Sequence, residues 1–189
     1  MGRAITKIGD LQVPNEPKTT FTVGTVRGGT SVNSIAADAV FELDMRSNDA
    51  AELAKLEERV KTVTALAVAE ENTRWQNNGE ITVNFRLIGD RPVGNTAAGN
   101  ALVQVAALAY REVGSPIQQL RTSSTDSNIP MSIGIPAITI GGGGSGGGEH
   151  SPEEYYSPEN SHLGPQLAFL LTLSLVGIEG VSAPLMERQ

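Results

Sequence analysis

The chain of 189 residues contains no cysteine. This absence excludes disulfide bonds, thiolate metal sites and cysteine nucleophiles. The longest mainly apolar stretch, residues 167–178, is shorter than the roughly 20 residues that a membrane-spanning helix needs. The beginning of the sequence also lacks the apolar core of a signal peptide. We therefore expect a cytoplasmic protein that has no membrane partner.

Basic residues are fewer than acidic ones, with 14 Lys and Arg against 21 Asp and Glu, and the net charge is −7. Because the positive charges are scattered, the sequence offers no basic surface for nucleic acid. The remaining composition is ordinary for a globular protein, with 39% hydrophobic and 19% charged residues. The length is sufficient to bury a substantial core.

The first fifty residues carry one helical and two strand patterns. Residues 4–13 have the apolar spacing of the last turns of an amphipathic helix. Residues 19–26 form the next β-rich run, and residues 40–46 alternate between apolar and polar side chains, so we predict two strands. Gly28 and Gly29 supply the break between them.

A long helix is predicted after Asp49, because Asp49 followed by Glu52 has the spacing of a capping box. Apolar residues then recur every three or four positions on one stripe, at Leu53, Leu56, Val60, Val63 and Ala67. The connection ends at Asn77, Asn78 and Gly79, and alternation over residues 81–87 predicts a third strand. This β-β-α-β order is a ferredoxin-like unit without its first strand and most of its first helix.

A domain boundary is predicted in the turn-rich residues 89–96. Beyond it the patterns predict a helix near 102–113, a strand at 117–120, a short turn or helix at 125–131, a buried strand at 136–140 and a leucine-rich helix at about 165–178. Such alternation of strands and helices suggests part of an α/β layered domain.

Two polar clusters could bind a ligand. Asn33 and Arg46 together suit a carboxylate or an amide, because Arg presents a planar fork of donors and Asn a directed donor. The alternative is a surface turn and an exposed strand arginine. Asp126 lies among hydroxyl residues at 121–126, where it could be a site residue or the N-cap of the next helix.

The third cluster is a glycine loop, residues 141–148, followed by Glu149 and His150. Glycines after a buried strand let backbone N–H groups approach a ligand closely. The loop is not a phosphate-binding Walker loop, because no Gly-Lys-Ser/Thr end follows. His150 could be a metal ligand, a general base or a surface histidine. A serine-hydrolase arrangement of Ser124, Asp126 and His150 lacks the Gly-x-Ser-x-Gly elbow.

Five motifs in order resemble the zinc-dependent exopeptidase and amidohydrolase family that includes glutamate carboxypeptidase, acetylornithine deacetylase, succinyl-diaminopimelate desuccinylase and the aminoacylases. They are Gly-Gly-Thr-Ser-Val-Asn-Ser-Ile at 28–35, Asp-Met-Arg-Ser at 44–47, Ser-Thr-Asp at 124–126, Gly-Ile-Pro-Ala at 134–137, and the glycine loop with Glu-His-Ser-Pro-Glu-Glu ending at 154. The resemblance extends from about residue 4 to about residue 178.

The resemblance implies a fold class of α/β with α+β. Residues 1–88 would be an incomplete ferredoxin-like lid, or dimerisation, domain, and residues 89–189 the C-terminal section of an α/β zinc-peptidase catalytic domain. A homo-oligomer through the lid sheet is implied as well. The implied substrate is a peptide or an N-acyl amino acid with a free carboxylate.

The resemblance also implies roles for individual residues. His150 would be a zinc ligand, and Asn33 and Arg46 would contact the carboxylate end of the substrate. Gly143 and Gly144 of the glycine loop would line the same pocket. Only a supporting role in that pocket is implied for Thr125 and Asp126.

The sequence departs from the family in what it lacks. Relatives take the other zinc ligands, a bridging aspartate and a catalytic Glu-Glu pair from an N-terminal half, and a lid histidine from a Gly-Gly-His-Ser segment. A catalytic zinc normally has three protein ligands, and hydrolysis also needs a base and charge stabilisation. We therefore expect a fragment of a two-zinc hydrolase that is inactive and holds no zinc alone. The alternative is a non-catalytic dimerisation or interaction module with an unpaired sheet edge.

Overall fold

The computed structural model describes residues 1–76, 79–117 and 119–185. The predicted end of a connection at Asn77 and Asn78, and Gln118 in the predicted strand 117–120, lie outside the described residues. The chain divides into two compact units, Met1–Val93 and Gly94–Gln189. The division falls inside the turn-rich residues 89–96.

The described residues of the N-terminal unit form two helices and one antiparallel pair of strands. Its elements are α1 (Gly2–Gly9), β1 (Thr19–Gly28), β2 (Ala39–Ser47) and α2 (Ala50–Arg74). The register of the strands places Thr19 opposite Ser47 and Gly28 opposite Ala39. Both predicted strands are confirmed, and the predicted first helix ends earlier than its apolar pattern, at Gly9.

Helix α2 begins where the capping signal predicts. The Asp49 carboxylate accepts a hydrogen bond from the Glu52 backbone N–H at 2.9 Å, which satisfies one of the unpaired donors of the first turn. On the predicted apolar stripe, Leu56, Val60 and Ala67 are buried. The local pattern and the tertiary burial therefore agree along this helix.

The core of the N-terminal unit lies between its helices and one face of its strands. Ile8 of α1 and Leu56 and Val60 of α2 form its buried centre. Partly buried apolar residues of the strands and flanking segments surround it, namely Leu11, Val13, Phe21, Phe41, Leu43, Met45 and Val63. Burial of this apolar surface is the main term that holds the helices on the sheet.

The predicted third strand at residues 81–87 is wrong. The described part of the sheet contains only β1 and β2, and residues 80–97 contain no strand, turn or bend. Ile81 is held by the Asn72 side chain, which accepts from the Ile81 N–H at 2.9 Å and donates to its carbonyl at 3.0 Å. A segment with alternating apolar and polar side chains forms a strand only where a neighbouring strand is available to pair with it.

In the C-terminal unit, the residues that the structure describes form three helices and a small hairpin. Its elements are α3 (Ala101–Glu112), α4 (Asn128–Ser132), β3 (Ser145–Gly147), β4 (Tyr155–Ser157) and α5 (Leu163–Val176), so the three predicted helical regions are confirmed. Ala106 and Ala109 of α3 pack against Leu167 and Leu171 of α5. None of the helices in the described ranges has the length and apolar content needed to cross a membrane.

The predicted strands at 117–120 and 136–140 are absent from the described residues. In the second segment a side chain replaces the neighbouring strand, because the Thr96 hydroxyl donates to the Ala137 carbonyl at 2.7 Å and accepts from its N–H at 3.0 Å. Ile138 and Ile140 pack against the α3–α5 core. The apolar pattern of residues 136–140 therefore predicted their partial burial correctly and their pairing with another strand wrongly. The predicted mixed fold class is confirmed.

Candidate functional site

Asn33 lies in the exposed loop that joins β1 to β2. Its amide oxygen accepts a hydrogen bond from the Ser31 hydroxyl at 2.6 Å. At the base of the hairpin a Cβ on Gly28 would lie 2.8 Å from the Ala39 Cα, at a φ of +155°. The glycine is therefore required where the strands meet, and the loop holds Asn33 in solvent.

Arg46 lies near the other end of the same hairpin, opposite Thr20. Its Nε donates to the Asp44 carboxylate at 2.6 Å, and the two side chains are 63% and 58% exposed. About 20 Å of strand separate Arg46 from Ala39, where the connecting loop meets β2. The structure thus places the two predicted substrate contacts at different ends of the hairpin.

A surface pocket of about 350 Å³ lies at the loop end of the hairpin and is lined by residues that include Arg27 and Asp38. Neither Asn33 nor Arg46 lines it. Arg27 pairs with Glu42 at 3.1 Å. The Thr25 hydroxyl, which hydrogen-bonds to Glu42, and then the Arg27 charge lower the pKa of that carboxyl.

The glycine loop packs its backbone against the beginning of α5. Gly143 and Gly144 have φ of +86° and +73°, which is the left-handed region that favours glycine. A Cβ on Gly143 would overlap the Ser161 carbonyl, and a Cβ on Gly164 would overlap the Gly142 carbonyl. The glycines are therefore needed for close contact between two backbone segments, whether or not a ligand approaches them.

Two tyrosines anchor this loop through their hydroxyl groups. Tyr110 of α3 accepts a hydrogen bond from the Gly141 N–H at 2.8 Å. Tyr156 of β4 donates to the Gly143 carbonyl at 3.3 Å. Sequence reasoning did not identify either residue, because a tyrosine on a helix or a short strand carries no pattern that indicates which loop it contacts.

His150 lies in the tight connection between β3 and β4, with a φ of +65°. Its backbone N–H donates to the Glu154 carboxylate at 3.2 Å, and Ser151 bonds the Gly148 carbonyl through both its N–H, at 3.0 Å, and its hydroxyl, at 2.8 Å. The side chain is exposed. Within the described residues the imidazole has no hydrogen-bond partner, so the loop presents it to solvent.

The described ranges contain no group of three or more His, Cys, Asp or Glu side chains that could hold a metal ion. His150 offers one imidazole, whereas a catalytic zinc normally has three protein ligands. These residues alone therefore do not fit a zinc site. The imidazole also makes no hydrogen bond to Asp126, so the serine-hydrolase arrangement is not formed.

Thr125 joins the segment before α4 to the segment before the glycine loop. Its hydroxyl accepts from the Thr139 hydroxyl at 2.7 Å and from the Ser127 N–H at 3.3 Å. The N-cap position of α4 is Ser127, so Asp126 is not the N-cap of this helix, which removes one of the two roles considered for it. Asp126 is exposed and has no hydrogen bond in the described part of the chain.

Comparison with known proteins identifies a matching domain family and a solved structure with a similar fold. Residues 1–71 match the family described as the peptidase dimerisation domain, whereas no curated protein matches the sequence. The crystal structure of aminopeptidase PepT from Bacillus cereus is similar over 89% of this chain, with a TM-score of 0.59 and 18% identity. This chain spans 43% of the length of that one. The structural match shows a shared fold, and with the domain match it confirms the predicted family resemblance.

Proposed function

We propose that the chain is the C-terminal part of a two-zinc peptidase or amidohydrolase, because residues 1–71 match the peptidase dimerisation domain. The parent reaction is hydrolysis of an amide bond beside a free carboxylate, in a peptide or an N-acyl amino acid. The domain match is the observation that carries this proposal, and the 43% coverage of PepT supports the view that a longer protein contains the rest. The chain alone is inactive in this proposal, with the cytoplasm as its location.

His150 is the zinc ligand that this chain contributes in the proposal. Its backbone is left-handed in a region where Gly143, Gly144 and Gly148 occupy the same conformation. A residue with a Cβ costs roughly 1 kcal/mol in that conformation, and such strain clusters at functional sites. Because the imidazole faces solvent, it can bind a zinc ion whose other ligands lie outside the described residues.

Arg46 and Asn33 bind the substrate carboxylate in the same proposal, and the backbone of Gly143 and Gly144 lines the pocket. The Arg46 guanidinium uses its Nε for Asp44, which leaves its terminal N–H groups for a second carboxylate. Thr125 supports the pocket through the contacts of its hydroxyl, with Asp126 beside it.

The inactivity of the chain is tested by adding zinc and measuring the release of amino acids from dipeptides and N-acetyl amino acids. We expect no turnover, since the described residues contain no group of three or more side chains that could hold a zinc ion. Turnover that disappears in His150→Ala would contradict the proposed inactivity.

The role of His150 is tested by titrating the chain with zinc while recording backbone amide NMR shifts. We expect weak binding, with the largest shifts at residues 148–154 and their loss in His150→Ala. His162→Ala is the matched control, because His150 and His162 are the chain's two histidines. Shifts that follow His162, or that persist in His150→Ala, would reject His150 as the ligand.

The second candidate function is a non-catalytic dimerisation or interaction module. It is supported by the two-stranded sheet of the N-terminal unit, whose outer edges have no neighbouring strand in the described residues. Light scattering over a range of concentrations tests it, with a homodimer as the expected result. A strictly monomeric chain at high concentration would count against this function.

A further inference from the structure

The surface pocket at the loop end of the β1–β2 hairpin brings a positive and a negative side chain together. Its volume is about 350 Å³, and Arg27 and Asp38 both line it. Ligand pockets in proteins have volumes of about 300 to 1,000 Å³, so this pocket suits a single small molecule. Neither of the predicted substrate contacts, Asn33 and Arg46, is among the residues that line it.

The backbone beside the two charged residues is fixed by a close contact. Gly28 follows Arg27 in β1, and a Cβ on Gly28 would lie 2.9 Å from the Asp38 carbonyl oxygen. Arg27 lies opposite Val40 in the register of the strands. Arg27 and Asp38 are therefore diagonal neighbours, which lie about 7–8 Å apart in a regular hairpin. One small ligand can span such a distance between the two side chains.

The two charged side chains that line the pocket are not paired with each other. One terminal nitrogen of the Arg27 guanidinium donates to Glu42 at 3.1 Å, which leaves its other N–H groups for a second acceptor. The Asp38 carboxylate has no hydrogen bond or ion pair in the part of the chain that the structure describes. The hydroxyl of Thr30, which also lines the pocket, has no partner there either. A carboxylate and an ammonium group of one ligand can therefore bind side by side.

We propose that this pocket binds a free α-amino acid as a zwitterion, with its carboxylate on Arg27 and its ammonium group on Asp38. The two charged groups of an α-amino acid are attached to one carbon atom, so a single small molecule presents both. Ala37 and Val40 add apolar surface to the lining, and Val40 is 41% exposed. An aliphatic side chain on the ligand suits this surface. The proposal does not depend on the hydrolase activity of the parent protein.

The test titrates the full chain with L-valine and records backbone amide NMR shifts. We expect saturable shifts centred on residues 27–40 at roughly millimolar valine, because so small a ligand in an open pocket binds weakly. Isobutylamine lacks the carboxylate of valine, and isovalerate lacks its ammonium group. Each analogue should bind about three- to fivefold more weakly than valine, which is the effect of losing one exposed ion pair.

Two substitutions assign the charged groups of the ligand to the two residues. Arg27→Gln should weaken the binding of both valine and isovalerate about three- to fivefold. Asp38→Asn should weaken the binding of valine to the same extent and leave that of isovalerate unchanged. Arg59→Gln and Asp10→Asn are the matched controls, because both residues are exposed in the same unit and neither lines the pocket. Neither control should change the affinity for valine.

Three results would overturn the proposal. They are the absence of saturable shifts at residues 27–40, equal affinities for valine and its two analogues, and equal losses in the pocket variants and their controls. Shifts that disappear in Arg46→Gln and persist in Arg27→Gln would also overturn it, because they would assign the carboxylate to the residues proposed for the substrate. The titration contains no zinc, so its result is independent of the hydrolase assay.

Discussion

The two units of the chain are stabilised by different contacts. In the N-terminal unit, large apolar side chains such as Ile8 and Leu56 fill the space between helices and sheet. In the C-terminal unit, alanines of α3 pack against leucines of α5, and the backbone of the glycine loop lies close to the backbone of α5. One unit is therefore sensitive to the loss of side-chain volume, and the other is also sensitive to the addition of a single methyl group.

The unfolding of each unit can also be followed by a reporter of its own. The single tryptophan, Trp75, follows α2 in the N-terminal unit, whereas the three tyrosines, Tyr110, Tyr155 and Tyr156, lie in the C-terminal unit. Tryptophan fluorescence therefore follows the first unit. Amide hydrogen exchange in α5 follows the second.

The largest effect is expected from Leu56→Ala in the N-terminal unit. Leu56 is 2% exposed, so its truncation leaves a cavity and should lower the free energy of unfolding by about 3 kcal/mol. Urea unfolding followed by Trp75 fluorescence measures it. The control Leu66→Ala, at a residue 48% exposed on the same helix, should cost less than about 0.5 kcal/mol. Equal losses for the two variants would contradict the described core.

The next effect is expected from Gly164→Ala in the C-terminal unit. The added Cβ would overlap the Gly142 carbonyl, and such overpacking should cost about 2 kcal/mol. Hydrogen exchange in α5 should accelerate while the Trp75 unfolding midpoint stays unchanged. Gly142→Ala is the matched control, because its Cβ would meet nothing within 4 Å. A shift of the Trp75 midpoint would show that the two units unfold together.

A smaller effect on stability is expected from substitutions at the N-cap positions of α2 and α5, and it should differ between the two units. Asp49 caps α2 through the Glu52 N–H, so Asp49→Ala should cost about 1 kcal/mol. His162, at the N-cap position of α5, makes no capping hydrogen bond, and His162→Ala should be nearly neutral. Urea unfolding measures the first variant and hydrogen exchange in α5 the second. A cost for His162→Ala that matched the cost for Asp49→Ala would contradict this difference.

The smallest effect is expected on the stability of the N-terminal unit at acidic pH. The Trp75 indole, which hydrogen-bonds to Glu71, and then Arg3 lower the pKa of the Glu71 carboxyl below its ordinary 4.5. A lowered pKa in the folded state adds stability above pH 4.5 that is lost as the pH falls through the folded value. When the pH is lowered below 4.5, the urea midpoint of the N-terminal unit, followed by Trp75 fluorescence, should therefore decrease slightly.

The Glu71→Gln variant tests the source of that acid dependence. It should show a weaker decline of the urea midpoint, because its amide does not titrate. Glu80→Gln, at an exposed residue of the same unit, should decline like the original chain. An identical decline for all three proteins would exclude Glu71 as a contributor.

The sequence predicted the N-terminal unit better than the C-terminal one for a physical reason. The Asp49 cap and the α2 stripe are local signals, and the structure confirms both. Residues 136–140 carried an equally clear apolar pattern, but Thr96 supplies their hydrogen bonds in place of a strand. Periodicity reports which residues are buried and cannot report which backbone groups lie beside them.

Prediction of the candidate site from the sequence was limited in the same way. The five ordered motifs were sufficient to indicate the family resemblance, and they place His150 behind the glycine loop. They could not predict that the imidazole has no hydrogen-bond partner in the described residues, or that Arg46 is paired with Asp44. The Tyr110 contact to Gly141 joins residues far apart in the chain, so no local pattern contains it.

Composition and periodicity by themselves determined the mixed fold class, the positions of the helices and the hairpin of β1 and β2, because these depend on neighbours within a few residues. Tertiary structure alone decided that residues 81–88 lack a partner strand in the described part of the chain and that the glycines of the loop serve close backbone packing. Both facts depend on which distant segments come together, and a hydrogen-bond ladder or a steric overlap exists only between segments that meet.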